Sequence, residues 1–422
     1  MQTPLDSTPT LRRSLSLPFH NLQTSGDAEL AARLGEALTV PGLPERVPVE
    51  ERPLLEAALG PHLFHSYAGR THPLLVRRLC NEMEPGQTLL DPFVGSGTVL
   101  VEGARLGLRT IGCDVSPLSI RLSRLKATLL PKGMQQVLLE QAQAVCEASL
   151  LRVKKRLSPP RNYDQPQFYA PHVYLELCGL RQEISTVCAK DAPIGEALLM
   201  VFSAIVVKAS NQRSESSAET VQRHIGKGMV SRWLLRKTEE FLRFQSGGFW
   251  QPDNIKRHPP LLILGDARSA LHPSAGCKLA SGSVDRVITS PPYLGTYDYL
   301  SHHLRRYAWL GIDPSPIERD EMAARRHHQP LLRRRQLHEA DTWNWLSAVE
   351  RLLKVGSLCF VLVGDSVLEE SLIDGAEPIR VAAESSRFRV VAEASVERPH
   401  VVRTERPLPP RREHLLALQR TS

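Results

Sequence analysis

One run of residues constrains this chain more than any other. TLLD is a short apolar segment ending in aspartate; the glycine loop PFVGSG, the helical pattern TVLVEGARLG and a second apolar segment, RTIGCD, follow it. Strand, loop, helix and strand in that order are the βαβ signature of a parallel sheet. A further helical stretch, SPLSIRLSRLKATLL, comes next, and residues 131–258 carry long helical patterns. Strand patterns then resume in HPPLLILGDA, SVDRVITSPPY, GSLCFVLVGD, FRVVAEA and HLLALQR. The sequence therefore predicts an α/β sheet domain in two parts, 60–130 and 259–422, interrupted by a helical insertion at 131–258. Residues 1–59 are expected to be flexible apart from a short helix at 27–40, because the start is rich in Ser, Thr and Pro and prolines 41, 44, 48 and 53 follow.

Composition narrows the function classes. At 422 residues and 42% hydrophobic content the chain can bury a sizeable core, so wholesale disorder is excluded. The formal net charge is +8, and arginine supplies most of it, with 42 arginines against 11 lysines. Such a balance suits a phosphate-bearing partner, although GC-rich coding bias also inflates arginine. No stretch approaches 18 uninterrupted apolar residues and the start has no continuous apolar segment, so neither a membrane span nor secretion is expected. The seven cysteines include no CxxC pair, and several sit in apolar runs. They read as reduced core residues of a cytoplasmic protein, with no structural zinc.

Two constellations carry chemistry. In Asp91-Pro92-Phe93-Val94-Gly95-Ser96-Gly97-Thr98 the glycines remove Cβ atoms where a ligand must approach the backbone, and the loop feeds a helix N-terminus. Asp91 and Asp114 each end a strand, where ligands bind open α/β sheets. A dinucleotide fingerprint would need glycine at position 100, which is leucine, and a carboxylate opening the loop would repel a pyrophosphate. The pattern favours a cationic nucleoside; S-adenosylmethionine, with its sulfonium, ammonium and ribose, is one. The second constellation is Ser290-Pro291-Pro292-Tyr293, directly after the apolar VDRVIT. Consecutive prolines stiffen the backbone and present carbonyls, serine adds an acceptor, and tyrosine offers a flat face for a base. Ser158-Pro159-Pro160 lacks both the preceding strand and the aromatic ring and reads as an ordinary loop.

Taken together, DPFVGSGT, IGCDVSP, LILGDA and ITSPPY resemble the S-adenosylmethionine-dependent amino-methyltransferase superfamily. The resemblance covers roughly 60–130 and 260–420. It implies a class I methyltransferase-like, mostly parallel seven-stranded sheet with helices on both faces and a final antiparallel hairpin from FRVVAEA and HLLALQR. It assigns Asp91, Phe93, Gly95 and Gly97 to the methionine end of the cofactor, Asp114 to the ribose, and Asp266 with Ala267 to adenine. HSYAGRTHP resembles the segment that wraps the cofactor, which adds Tyr67 and Thr71. SPPY is similar to the motif of cytosine-N4 DNA methyltransferases, so Ser290, Pro291, Pro292 and Tyr293 would be the catalytic set.

The expectation is methyl transfer to an exocyclic base amine of DNA, cytosine N4 before adenine N6. A guanine-N2 RNA methyltransferase is the nearest alternative, and an inactive nucleic-acid-binding protein the non-enzymatic one. No Pro-Cys pair exists, which excludes cytosine-C5 chemistry. Arginines 319, 325, 326, 333, 334 and 335 in the stretch 319–338 would form a phosphate-gripping loop. Its histidines 327, 328 and 338 lack a metal-ligand pattern, so no metal is expected. Tyr297 and Asp298 are candidates for the target pocket. The polar stretch 208–228 could touch a substrate backbone or simply link helices. A separate restriction endonuclease is a compatible partner, and oligomeric state is not legible.

Overall fold

A computed structural model describes residues 20–40, 52–155, 163–213, 215, 219–325, 329–398 and 409–422. Its centre is one eight-stranded sheet in the order β1-β9-β10-β6-β5-β2-β3-β4. The first half of the chain supplies β1 (His20–Gly26), α1 (Ala28–Leu38), α2 (Arg52–Leu59), α3 (Pro73–Cys80), β2 (Thr88–Asp91), α4 (Thr98–Arg105), β3 (Arg109–Asp114) and α5 (Pro117–Ala127). A helical layer follows: α6 (Lys132–Lys154), α7 (Pro171–Lys190), α8 (Ala192–Ala209) and α9 (Met229–Ser246). The sheet resumes with β4 (Leu261–Leu264), α10 (Ala267–Ala270) and β5 (Val284–Thr289), then α11 (Tyr299–Leu310), α12 (Ser315–Asp320), α13 (Leu331–Leu352) and β6 (Leu353–Gly364). The chain closes with a small hairpin of β7 (Ser366–Leu368) and β8 (Ser371–Ile373), then α14 (Glu377–Glu384), β9 (Phe388–Arg398) and β10 (Arg411–Arg420).

Local chemistry sets the helix starts. Asp27 caps α1 by accepting from Leu30 N–H at 2.9 Å. Ser116 caps α5 with Pro117 in its first turn, and Asp191 caps α8 by accepting from Ile194 N–H at 3.1 Å. The strands β2 and β5 pair in parallel, and β3 pairs in parallel on the other side of β2. The chain thus runs outward from β2 through β3 to β4, then returns to the opposite side of β2. That reversal leaves a crevice at the C-terminal ends of β2 and β5, the usual ligand position in such sheets. β9 and β10 form the expected antiparallel hairpin. The fold is a class I methyltransferase-like α/β sheet.

The structure departs from the sequence reading at the N-terminal edge. His20–Gly26, expected within a flexible stretch, pairs antiparallel with β9 as an eighth strand. All seven residues are exposed, so the strand is held by backbone pairing and shows no buried alternation to read. A second surprise is α8, which is long and apolar enough to cross a membrane by length and composition. Its sequence is interrupted by Gly195, Glu196, Ser203 and Lys208, which breaks the uninterrupted apolar run sought above. Within the structure, 67% of the helix is buried. It shares one apolar core with α6, α7 and α9, with Leu118, Leu122 and Leu125 of α5, and with Tyr307 and Trp309 of α11.

Candidate active site at the sheet crevice

A cavity of about 850 Å³, measured with its open mouth, sits at the crevice. Of the residues singled out in the sequence, Tyr67, Thr71, Asp91, Phe93, Gly95, Asp114, Asp266, Ala267, Ser290 and Pro292 line it. Asp91, at the end of β2, is buried and accepts from Phe93 N–H at 3.0 Å and from the Thr289 hydroxyl at 2.8 Å. Because Thr289 ends β5 and precedes Ser290, this bond ties the glycine loop to the SPPY loop. Burial pushes the Asp91 carboxyl up to about 7 despite those donors. Asp114 accepts from Gly95 N–H at 2.8 Å and Ser116 N–H at 2.9 Å, and burial pushes it up to about 6.

The loop is gripped from behind by α5. The Ser123 hydroxyl donates to the Gly95 carbonyl at 3.2 Å, and Lys126 donates to the Ser96 carbonyl at 2.7 Å. Lys126 is fully buried, and desolvation holds its amine well below the usual lysine range. Gly97, which the motif assigns to the methionine end, is held by close packing. It lies outside the cavity lining, at φ +80°, and a Cβ there would come within 2.9 Å of the Ser123 backbone. Gly97→Ala should therefore cost about 1–3 kcal/mol of stability by forcing α4 and α5 apart. Urea unfolding measures it, and an unchanged midpoint would show the loop tolerates the methyl group.

Asp266 caps α10 by accepting from Arg268 N–H, and its carboxylate also holds the Arg268 side chain at 2.5 Å. Arg268 reaches on to Asp341 at 2.5 Å and to the Asp320 carbonyl at 3.2 Å. The Tyr67 hydroxyl bonds Ser119 at 2.7 Å, and its ring lies 4.6 Å from His303. Phe93 sits edge-on to Trp345 at 5.4 Å.

Several lining residues escaped the sequence reading: Tyr299, Tyr307, Ile317, Asp320, Glu321 and Met322. Glu321 is buried and accepts from Tyr299 N–H at 2.8 Å and Leu300 N–H at 3.2 Å, which caps α11. Tyr307 bonds Ser116 at 3.0 Å. No local motif marks them: Tyr299 and Tyr307 reach the cavity from α11, and Ile317, Asp320, Glu321 and Met322 from α12 and the residues just after it. Asp298 caps α11 by accepting from Ser301 N–H at 3.1 Å and does not line either cavity described here. Tyr297 lies between Tyr293 and Tyr299, at 6.3 and 5.5 Å.

Among the described residues the lining carries five carboxylates (Asp91, Asp114, Asp266, Asp320 and Glu321) against one arginine, Arg70. Arg70 donates to the His62 and His65 carbonyls at 2.7 and 3.0 Å. Asp266 is paired with Arg268 and Asp320 with Arg319 from outside the lining, and the acidic balance that remains at Asp91, Asp114 and Glu321 is compatible with a cationic ligand.

Ser290 donates to the Tyr293 hydroxyl at 3.2 Å, which leaves the Ser290 oxygen lone pairs open to an incoming donor. The Tyr293 ring packs on Gly364, where a Cβ would come within 2.9 Å of it, and burial holds its phenol well above the usual range. Pro291 and Tyr293 line a second cavity, and Pro292 lines both. The expected phosphate-gripping loop is partly helix. Arg333, Arg334 and Arg335 lie in the first two turns of α13, which starts after Pro330, while 326–328 lie outside the described residues. Arg319 pairs with Asp320.

Beside the second cavity, Asp365, Asp374 and His414 bring potential metal ligands within 4.8 Å of one another. Burial opposes charge on His414, but hydrogen bonds to Asp365 at 3.0 Å and Glu393 at 3.2 Å outweigh it and raise the imidazole to about 9. The group is thus satisfied as an ion-pair network.

Comparison with known proteins finds methyltransferases. The RMKL-like methyltransferase domain family (UPF0020) matches residues 76–146, which include the glycine loop, Asp91 and Asp114. The chain is 27% identical to the type II methyltransferase M.MvaI of Kocuria varians over 247 residues, 55% of this chain and 53% of that protein. It is 26% identical to the type II methyltransferase M.BsoBI of Geobacillus stearothermophilus over 276 residues, 58% of this chain and 51% of the relative. A shorter match, 38% over 66 residues, is to the type II methyltransferase M.MjaII of Methanocaldococcus jannaschii, covering 15% and 12% of the two chains. The chain spans about half the length of the first two relatives it matches.

Proposed function

We propose that this chain is an S-adenosylmethionine-dependent DNA methyltransferase acting on a base exocyclic amine, cytosine N4 in preference to adenine N6. One observation carries the reading: Asp91, Asp114, Asp266, Ser290 and Pro292 line a single acidic cavity at the sheet crevice. The likeness to type II methyltransferases supports DNA as the polymer. When bound, S-adenosylmethionine supplies an electrophilic methyl group on a cationic sulfur. Asp91 would face the methionine end, Asp114 the ribose and Asp266 with Ala267 the adenine, with Tyr67 and Thr71 closing the cavity from the N-terminal side.

An exocyclic amine is a poor nucleophile because its lone pair is delocalised into the ring. Ser290 Oγ, already donating to Tyr293, would accept one amine hydrogen, and the Pro291 carbonyl the other. Held this way the nitrogen turns pyramidal and aims its lone pair at the methyl carbon. The N–C bond forms as the C–S bond breaks, and the surplus amine proton leaves through the acceptors to solvent. Positioning and electrostatics supply most of the rate.

Ser290→Ala and Tyr293→Ala should each lower transfer by at least about 100-fold while leaving calorimetric binding of S-adenosylmethionine nearly intact. Labelled S-adenosylmethionine is offered with unmethylated DNA and with bulk RNA, and the products are digested to nucleosides for mass spectrometry. N4-methylcytosine in DNA is the expected result. N6-methyladenine would overturn the base assignment, label only in RNA would overturn the polymer, and full activity of both variants would overturn the catalytic assignment.

A further inference from the structure

The second cavity, about 540 Å³ with its mouth, has walls of contrasting chemistry. On one side stand Pro291, Pro292 and Tyr293; on the other stand Arg335, His338, Glu339 and Thr342 of α13. Those four residues have i, i+3, i+4 and i+7 spacing, so they share one helix face. Toward the C-terminus the same face carries Trp345, Val349 and Leu352, all buried in the apolar core under the sheet. A helix that only packed would continue with apolar residues at 338 and 342. Instead it changes to histidine and threonine where the cavity opens.

We propose that this polar stripe of α13 reads the target base held in the second cavity, with His338 contacting the ring and Arg335 the adjoining phosphate. The inference rests on the amine-methyltransferase reading above. Pro292 forms a wall shared by both cavities, so a base there can present its amine across the SPPY turn to the methyl donor. His338 is half-buried, and among the described residues its buried Nδ1 has no hydrogen-bond partner, a cost that a bound base edge would relieve. Burial holds the imidazole down at about 4, so near neutral pH one ring nitrogen donates and the other accepts. The Thr342 hydroxyl donates to the His338 carbonyl at 2.7 Å, fixing the turn that carries the histidine. Arg335 is exposed at the mouth, where a guanidinium can meet a phosphate without desolvation.

The test uses the full chain, unmethylated DNA and labelled S-adenosylmethionine. His338→Leu should lower kcat/KM for DNA by at least about tenfold, with His338→Gln restoring part of it. Arg335→Ala should raise KM for DNA and reduce the salt slope of DNA binding by about one. Cofactor binding by calorimetry should stay unchanged in all three and reports that each variant is folded. Wild-type kcat/KM in both His338→Leu and Arg335→Ala, alongside an inactive Ser290→Ala, overturns this inference alone. A fully active Ser290→Ala instead overturns the reading on which it rests. Should His338→Leu lose the cofactor, the exposed Arg335 and the conservative glutamine variant still decide.

Discussion

Asp91→Asn is expected to lower affinity for S-adenosylmethionine by about 10–100-fold and to remove much of the pH dependence of binding. Asp91 is a buried carboxyl with two donors, Phe93 N–H and the Thr289 hydroxyl. Burial raises it from 3.8 to about 7, and raises Asp114 to about 6. A raised acid destabilises the folded ligand-free protein when ionised. The penalty is absent below the unfolded value, grows as pH rises from about 4, and is complete above about 7. A cation in the cavity favours the ionised forms, so binding releases protons in that window. Affinity should therefore fall as pH is lowered from about 8 to about 5. Calorimetry in two buffers of different ionisation enthalpy measures both the constant and the protons released. An Asp91→Asn protein with wild-type affinity and an unchanged pH slope would show that another carboxylate meets the charge.

That prediction draws on residues legible in the sequence, and the reason is local. Asp91, Gly95 and Asp114 lie within one βαβ unit, where strand ends, loop and helix start follow from spacing over a short window. Ser290 through Tyr293 were legible because they directly follow a strand. Tyr299, Tyr307 and Glu321 were not, since a helix after the catalytic strand reads as packing until its docking angle is known. Gly97 shows the converse, for its motif position is right but its requirement comes from Ser123 on the neighbouring helix. β1 escaped because strand addition at an edge needs backbone pairing and no apolar pattern. The arginine run at 333–335 gave its charge correctly and its conformation only in part, because Pro330 is equally a loop residue and a helix start.

Trp309→Ala should cost about 3–5 kcal/mol of stability and weaken cofactor binding as well. Trp309 is fully buried near the end of α11, the helix that follows the SPPY turn. Tyr163 stacks on it at 5.6 Å, Tyr174 and Phe202 pack at 5.7 and 5.6 Å, and its indole N–H donates to the Tyr169 hydroxyl at 2.7 Å. Its carbonyl accepts from Arg181 at 2.8 Å. All of these partners belong to residues 163–202, so one side chain joins the helical layer to the element that carries Tyr299 and Tyr307 into the cavity. Loss of the ring leaves a void and removes the donor to the Tyr169 hydroxyl, which keeps only its bond to Asp164, and neither helix can close the gap without moving the other. Urea unfolding followed by circular dichroism and by cofactor protection should show one cooperative transition shifted to lower urea. Two transitions, with the cofactor-linked one unmoved by the substitution, would instead mean that the helical layer folds apart from the sheet and lends the site no support.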